Sequence, residues 1–353
     1  MKQIVLNTLK FLFFLSIGIL LVWLSLRNIP DEKKADIIKA IREANYAWIA
    51  LAMAVGIFAH ISRAIRWKML LAPLQLKPKL SNTFYAVMIG YLGNLAFLRG
   101  GEVLRCGILK RYEKIPFIQS FGTVIAERAI DVFLLLIVFI LSAWLEYERM
   151  HTYISENIVS PLKNKFHSLA ENKTTLLLLT GIFVIALILL FIFRKKIFKN
   201  SVAKKISTLL LNFWEGIRTV AKVKNPLLFI FHSIFIWAMY LMSVYVCVFA
   251  FSETRVLTLA DCLTIMAFGS LGVIASPGGI GAYQIIVQTL LPLLYLSFRD
   301  ANGDPTSAAV AFGWIVWLAQ TAVVLLVGLL SFGLLAIGNK ESPLSSSPQR
   351  GES

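Results

Sequence analysis

Arg99-Gly100-Gly101-Glu102-Val103-Leu104-Arg105 sets two guanidiniums six residues apart, with a carboxylate between them and two glycines that leave backbone N–H groups uncovered. Arginine grips phosphate oxygens bidentately, so this spacing suits a phosphate headgroup, with Glu102 orienting one arginine while no ligand is bound. The blander reading is a basic anchor at the membrane surface with a local Glu–Arg pair. A second cluster, Glu127-Arg128-Ala129-Ile130-Asp131, falls inside an apolar stretch that starts near residue 118. A helical rise puts it roughly 14–20 Å deep. Charges at that depth face the protein interior and mark substrate or proton paths. Glu127 and Asp131 share a helix face and Arg128 can pair with Asp131; the alternative is an ion-pair bolt to Arg63, Arg66 or Arg99. The third cluster is Ser276-Pro277-Gly278-Gly279-Ile280-Gly281-Ala282-Tyr283-Gln284. Its glycines admit close backbone approach, and a half-helix starting near Ala282 would aim its N–H groups at an anion. No strand precedes it and no Lys-Ser/Thr follows, so it is neither a dinucleotide fingerprint nor a P-loop. A tight turn between two short helices is the alternative. Arg63 with Arg66-Trp67-Lys68 is also a candidate headgroup contact, although an interfacial aromatic–basic belt explains it more simply.

Other chemistries find little support. His60, His151, His167 and His232 lack metal-ligand spacing, and His60 and His232 read as intramembrane hydrogen-bonding groups. Cys106, Cys247 and Cys262 form no CxxC pair, so neither a zinc site nor a disulfide framework is expected. No Ser/His/Asp order, paired glycosidase carboxylates or HExxH is visible, and the longest polar loops, about 30 residues, are too short for an aqueous catalytic domain. The sequence therefore predicts no catalytic residue, metal or cofactor.

The elements that must position these clusters follow from composition. Of 353 residues, 58% are hydrophobic and 15% charged, against roughly 45–50% and about 25% in soluble domains. That excludes a soluble two-domain enzyme. The net charge of +16 lies between apolar segments rather than in one stripe, which favours anionic lipid over nucleic acid as partner. Apolar segments fall at about 10–26, 46–62, 82–98, 118–145, 174–193, 226–251, 260–275, 282–297 and 306–337, all reading as helices. The first is an uncleaved anchor, since no small-residue cleavage site follows it. Segment 82–98 is loosened by Asn82, Gly90, Gly93 and Asn94, while Pro292 cuts short the segment after the Pro277–Gly281 turn. Both places suit re-entrant helices better than full crossings of a core about 30 Å thick.

The expected architecture is an all-α polytopic membrane protein with six spans, two re-entrant elements and both termini cytoplasmic. The distribution of Lys and Arg hardly separates this topology from one in which 82–98 crosses. Residues 1–337 form one membrane domain with interfacial helices at about 31–45 and 201–223, and 338–353 form a disordered tail. The last span is expected to open with Asp304 as N-cap and Pro305 at its first position. The layout of the two halves outlines an inverted repeat, although they show no obvious residue identity.

Taken in order, Ser62-Arg63-Ala64-Ile65-Arg66-Trp67, Gly93-Asn94 with Arg99 to Arg105, Glu127-Arg128-Ala129-Ile130-Asp131 and Pro277-Gly278-Gly279-Ile280-Gly281 resemble the flippase-like membrane region of bacterial lysylphosphatidylglycerol synthases and its stand-alone relatives. The similarity covers about residues 10–337. It implies a lipid-handling domain, which in the full-length synthases moves aminoacylated phosphatidylglycerol between leaflets. The aminoacyltransferase domain that follows there is absent from this chain, so lipid aminoacylation is not expected. Leu98 stands where relatives often have Pro, and Gln284 where a Glu commonly follows the Pro-Gly-Gly motif. The second departure favours an anionic or neutral headgroup over a cationic one.

The leading reading is a flippase for an anionic phospholipid or polyprenyl-phosphate-linked lipid, held among Arg99, Arg105, the Glu127/Asp131 face and the Gly278–Gly281 turn. The alternatives are a non-transporting lipid-binding accessory to a lipid or glycan synthase, or a membrane-embedded transferase.

Overall fold

The computed structural model of the chain describes residues 31–96, 100–149 and 223–338. The apolar segments 10–26 and 174–193, the 201–223 amphipathic stretch apart from Val223, Leu98, Arg99, His151, His167 and the tail from residue 339 lie outside the described residues. Among the described residues there is no strand. Among the described residues nine α-helices follow one another: α1 (Asp31–Glu43), α2 (Tyr46–Leu71), α3 (Leu80–Ala96), α4 (Gly101–Glu113), α5 (Phe117–Leu145), α6 (Pro226–Val248), α7 (Leu259–Ala275), α8 (Ala282–Leu294) and α9 (Ser307–Gly338).

Their ends have local causes. Asn45 caps α2 by accepting the Ala47 N–H at 3.1 Å. Thr258 and Asp261 form a reciprocal capping box at the start of α7, and Pro226 opens α6 at a position that needs no N–H. For α9 the expectation fails. Asp304 and Pro305 sit in the preceding turn, and the Thr306 hydroxyl accepts the Ala309 N–H at 3.4 Å instead. Among the described residues three helices, Tyr46–Leu74, Pro226–Val248 and Ser307–Leu335, are long and apolar enough to cross a bilayer. The 29-residue α5 is equally long, about 43 Å at 1.5 Å per residue, and carries its charges, Glu127, Arg128 and Asp131, near its middle. Its exposed Val132, Leu136, Ile140 and Trp144 form an outward apolar stripe, and Leu326, Leu329, Leu330 and Phe332 on α9 do the same.

Two helical hairpins sit between these long helices, and their dimensions match. α3 and α4 have 17 and 13 residues, as do α7 and α8. Each hairpin is closed at its base by a carboxylate. Glu113 at the end of α4 accepts from the Lys79 N–H at 3.2 Å and the Asn82 amide at 2.5 Å at the start of α3. Asp261 near the start of α7 accepts from the Tyr295 hydroxyl just beyond α8 at 3.0 Å. Each hairpin also narrows at two glycines three residues apart. Gly90 and Gly93 let α3 meet Gly101 and Leu104 of α4; Gly269 and Gly272 let α7 meet Tyr283 of α8. These glycines stand at the eleventh and fourteenth positions of their helices, in Gly90-Tyr91-Leu92-Gly93 and Gly269-Ser270-Leu271-Gly272. The two halves therefore do share residue identity, contrary to the expectation. It lies at the close-approach positions, where no larger residue fits.

The halves run in opposite directions. α2 and α6 pack antiparallel, tied by Asn45 N–H to the Ala250 carbonyl (2.9 Å), Ser243 to the Ala52 carbonyl (3.0 Å) and Ser62 to His232 Nδ1 (2.8 Å). The α3–α4 base lies by the start of α5. The α7–α8 base lies by its end, where Ser142 bonds Thr264 at 2.7 Å and Arg149 bonds Asp261 at 2.8 Å. The two hairpin tips point at each other and touch, Gly278 resting against Leu95.

Candidate functional site

α2 continues to Leu71, well beyond the apolar segment that ended at 62, and so carries Arg63, Arg66 and Trp67 into the protein. Arg63 is 3% exposed, Arg66 and Trp67 are 0%. The interfacial-belt reading fails for all three. Ala59, Arg63, Arg66, Trp67 and Leu70 lie on one buried stripe at helical spacing, and that periodicity could have been read from the sequence.

The stripe faces Glu127 and Asp131 near the midpoint of α5. Arg63 donates to Glu127 at 2.8 Å and to Asp131 at 2.6 Å. Arg66 donates to Asp131 at 2.6 Å and to the Ser233 hydroxyl of α6 at 3.3 Å, and stands 3.6 Å from Glu127. Arg105, one turn beyond the first hairpin tip, reaches Glu127 at 3.1 Å and lies over the Trp67 ring at 4.4 Å. The Trp67 indole in turn donates to Thr123 of α5 at 2.9 Å. Arg128 is more open: it meets Glu127 at 3.1 Å, Asp131 at 3.5 Å and Glu102 at 3.9 Å, with 37% of its side chain exposed. Among the described residues the arginine nearest Glu102 is Arg128, outside its own sequence cluster.

Four guanidiniums thus surround two carboxylates, with Glu102 at the edge. Burying these ions singly would cost several kcal/mol each; mutual pairing offsets that cost and fixes α2, α4 and α5 around one point. The pairing is incomplete. Among the described residues the buried Nε atoms of Arg63, Arg66, Arg105 and Arg128 and Glu102 Oε2 make no hydrogen bond, the Arg128 Nε having only the 3.9 Å ion contact to Glu102. An aromatic wall adjoins the centre: Tyr91 lies under Arg63 at 5.8 Å, and His60 packs on Tyr91 and Tyr240. Of the two histidines expected to hydrogen-bond, His232 does so with Ser62, while the buried Nδ1 of His60 has no hydrogen-bond partner among the described residues.

The third cluster forms the tip of the second hairpin. Gly278, Gly279 and Gly281 have φ of 60°, 79° and 76°, a region that side chains other than glycine strongly disfavour. Pro277 is buried, the Trp317 indole of α9 donates to the Gly278 carbonyl at 2.8 Å, and Ser276 closes the turn onto the Ile280 carbonyl at 3.0 Å. Gln284 is fully buried on the first turn of α8. The two tips bring together what the sequence keeps some 180 residues apart, since Gly278 meets Leu95 while neighbouring Asn94 accepts the Gly101 N–H at 2.8 Å. Arg99 lies outside the described residues.

A further polar group went unmarked by sequence reasoning. At the far end of α5, Arg149 bridges Glu146 (3.2 Å) and Asp261 (2.8 Å) and lies over the Tyr295 ring at 4.8 Å. Burial and the nearby Asp261 carboxylate push the Glu146 carboxyl above its ordinary range. Among the described residues no group of three or more metal-ligating side chains occurs, and all three cysteines are free and buried.

Long apolar helices with outward hydrophobic faces, enclosing paired hairpins and an arginine–carboxylate centre, define an integral membrane protein. The chain belongs to the lysylphosphatidylglycerol synthase TM region family, which it matches over residues 8–328. It is 28% identical to a UPF0104 membrane protein of Methanocaldococcus jannaschii over 145 residues, which is 40% of this chain and 40% of that relative's length. No solved structure matches.

Proposed function

We propose that this protein is a lipid flippase, carrying an anionic phospholipid or a polyprenyl-phosphate-linked lipid between leaflets by its headgroup. The observation that carries the reading is the charge imbalance of the centre: Arg63, Arg66, Arg105 and Arg128 against Glu127, Asp131 and the peripheral Glu102, with the buried Nε atoms of Arg63, Arg66 and Arg105 making no hydrogen bond among the described residues. A phosphate would add the missing negative charge and accept the unused donors. The headgroup would meet Arg105 and, in this reading, Arg99 at the first hairpin tip, and the Pro277–Gly281 turn at the second. Family membership supports a lipid as the ligand.

The topology that goes with this reading has six spans and two re-entrant hairpins in a bacterial-type inner membrane, both termini cytoplasmic. Helices of 17 and 13 residues reach only about 25 and 20 Å, short of a core about 30 Å thick. Glycine-rich backbone at that depth is tolerated where protein or a water-filled cavity covers it.

The test is flux in proteoliposomes. With fluorescent phosphatidylglycerol in both leaflets and a membrane-impermeant quencher outside, the wild-type protein should let the inner-leaflet pool be quenched. Fluorescent phosphatidylcholine should stay protected, and Arg105→Gln should slow the phosphatidylglycerol flux at least tenfold. Quenching no faster than in protein-free liposomes would overturn transport and leave the accessory reading.

A further inference from the structure

Gln284 is 0% exposed, yet neither Oε1 nor Nε2 has a hydrogen-bond partner among the described residues. A buried amide left this way costs on the order of 1–3 kcal/mol per unsatisfied group, and a leucine of similar size would avoid that cost. The side chain's direction shows where a partner belongs. Side chains on a helix lean toward its N-terminus, so the third residue of α8 aims its amide back at the glycine turn. There the Ala282, Tyr283 and Gln284 N–H groups have no acceptor among the described residues. The Gly272 close approach walls the turn on the α7 side, and Gly313 of α9 lies against the Gln284 backbone. Across the tip contact stands Leu95.

We infer that the first turn of α8 with Gln284 is a subsite for an uncharged, hydroxyl-bearing group attached to the phosphate, a polyol or sugar. This inference rests on the anionic-headgroup reading of the arginine centre. The chemistry follows from what an amide can pair with. A phosphate oxygen would satisfy Nε2 and the backbone N–H groups but leave Oε1 without a donor. An ammonium group would satisfy Oε1 but face two donor N–H groups and a helix N-terminus, both unfavourable to a cation. A hydroxyl both donates and accepts, and so completes the amide without adding charge. Sites built to hydrogen-bond a hydroxyl discriminate against analogues that lack it, because their own buried polar groups are then left unpaired.

The experiment uses the full chain in nanodiscs of phosphatidylcholine doped with equal amounts of phosphatidylinositol and phosphatidylmethanol. These are phosphodiesters of the same charge, the first with a polyol and the second without a hydroxyl. After detergent stripping, mass spectrometry reads the retained lipids. The wild type should enrich both over phosphatidylcholine and hold phosphatidylinositol about tenfold over phosphatidylmethanol. Gln284→Leu should bring that ratio to about one. Gln284→Met, which keeps the length but neither donates nor accepts a strong hydrogen bond, should do the same and serves if the leucine variant fails to fold. A wild-type ratio near one with both lipids enriched overturns this inference and leaves the arginine site standing. A ratio that survives both substitutions overturns it too. If neither lipid is enriched, the arginine reading falls and this inference with it.

Discussion

Within the buried centre the individual side chains are not equivalent. Among the described residues Glu127 is the sole carboxylate that Arg105 reaches, and it touches three other arginines, so Glu127→Gln strands a buried guanidinium. Breaking a buried pair this way costs about 3–5 kcal/mol, and the variant should show a large drop in melting temperature in detergent. Arg128 is more than a third exposed and its carboxylates keep other partners, so Arg128→Gln should cost under about 1 kcal/mol in the same measurement. Glu146 makes a different prediction. Its carboxyl sits above the ordinary range of about 4.3 because burial and Asp261 oppose its charge. A carboxyl raised in the folded state contributes stability that is complete below its unfolded value and is lost as pH climbs through the folded one. The wild type should therefore gain stability as pH falls through that window, while Glu146→Gln, neutral throughout, should be flatter and more stable at neutral pH. A thermal-shift series from pH 4 to 8 reads both; parallel curves would contradict the assignment.

At the scale of the helices, glycine spacing governs the hairpins. A Cβ on Gly101 would drive into the Gly90 carbonyl and the Asn94 side chain, so Gly101→Ala must push α4 off α3. The expected loss is about 1–3 kcal/mol, with Arg105 drawn away from Glu127. Gly107 lies on the same helix with nothing within 4 Å of an added Cβ, and Gly107→Ala should instead stabilise by about 0.5–1 kcal/mol. Paired thermal melts would show opposite signs.

Much of this was legible in the sequence. Apolar runs mark the helices, the loosened 82–98 segment and the Pro-Gly-Gly turn mark the hairpins, and Glu127 and Asp131 stand out by depth. Arg63 and Arg66 were misplaced because a charged residue after an apolar run resembles a helix end. Their helical spacing with Ala59, Trp67 and Leu70 pointed inward, and their partners on α5 show where that face goes. Glu146, Arg149, Asp261 and Tyr295 come from three separate stretches, and no spacing within any one of them announces the group.

For the whole molecule, the two hairpins entering from opposite ends of α5 set which loops share a side. Lys77 and Lys114 flank the first base and Asn302 follows the second, all exposed. The native cysteines are buried, so single cysteines at these positions can be probed with impermeant maleimide against little background. Lys77→Cys and Lys114→Cys should react from one side and Asn302→Cys from the other; labelling of all three from one side would refute the arrangement. The two bases are also fastened by different forces. Glu113 holds neutral donors, an amide and a backbone N–H, whereas Asp261 is bridged by a guanidinium that is 44% open to solvent. Counterions screen the second kind of contact and scarcely affect the first. Raising ionic strength should therefore quicken amide hydrogen exchange around 258–261 and 295 while leaving 79–82 and 113 unchanged, making this near-symmetric frame responsive to salt at one end alone.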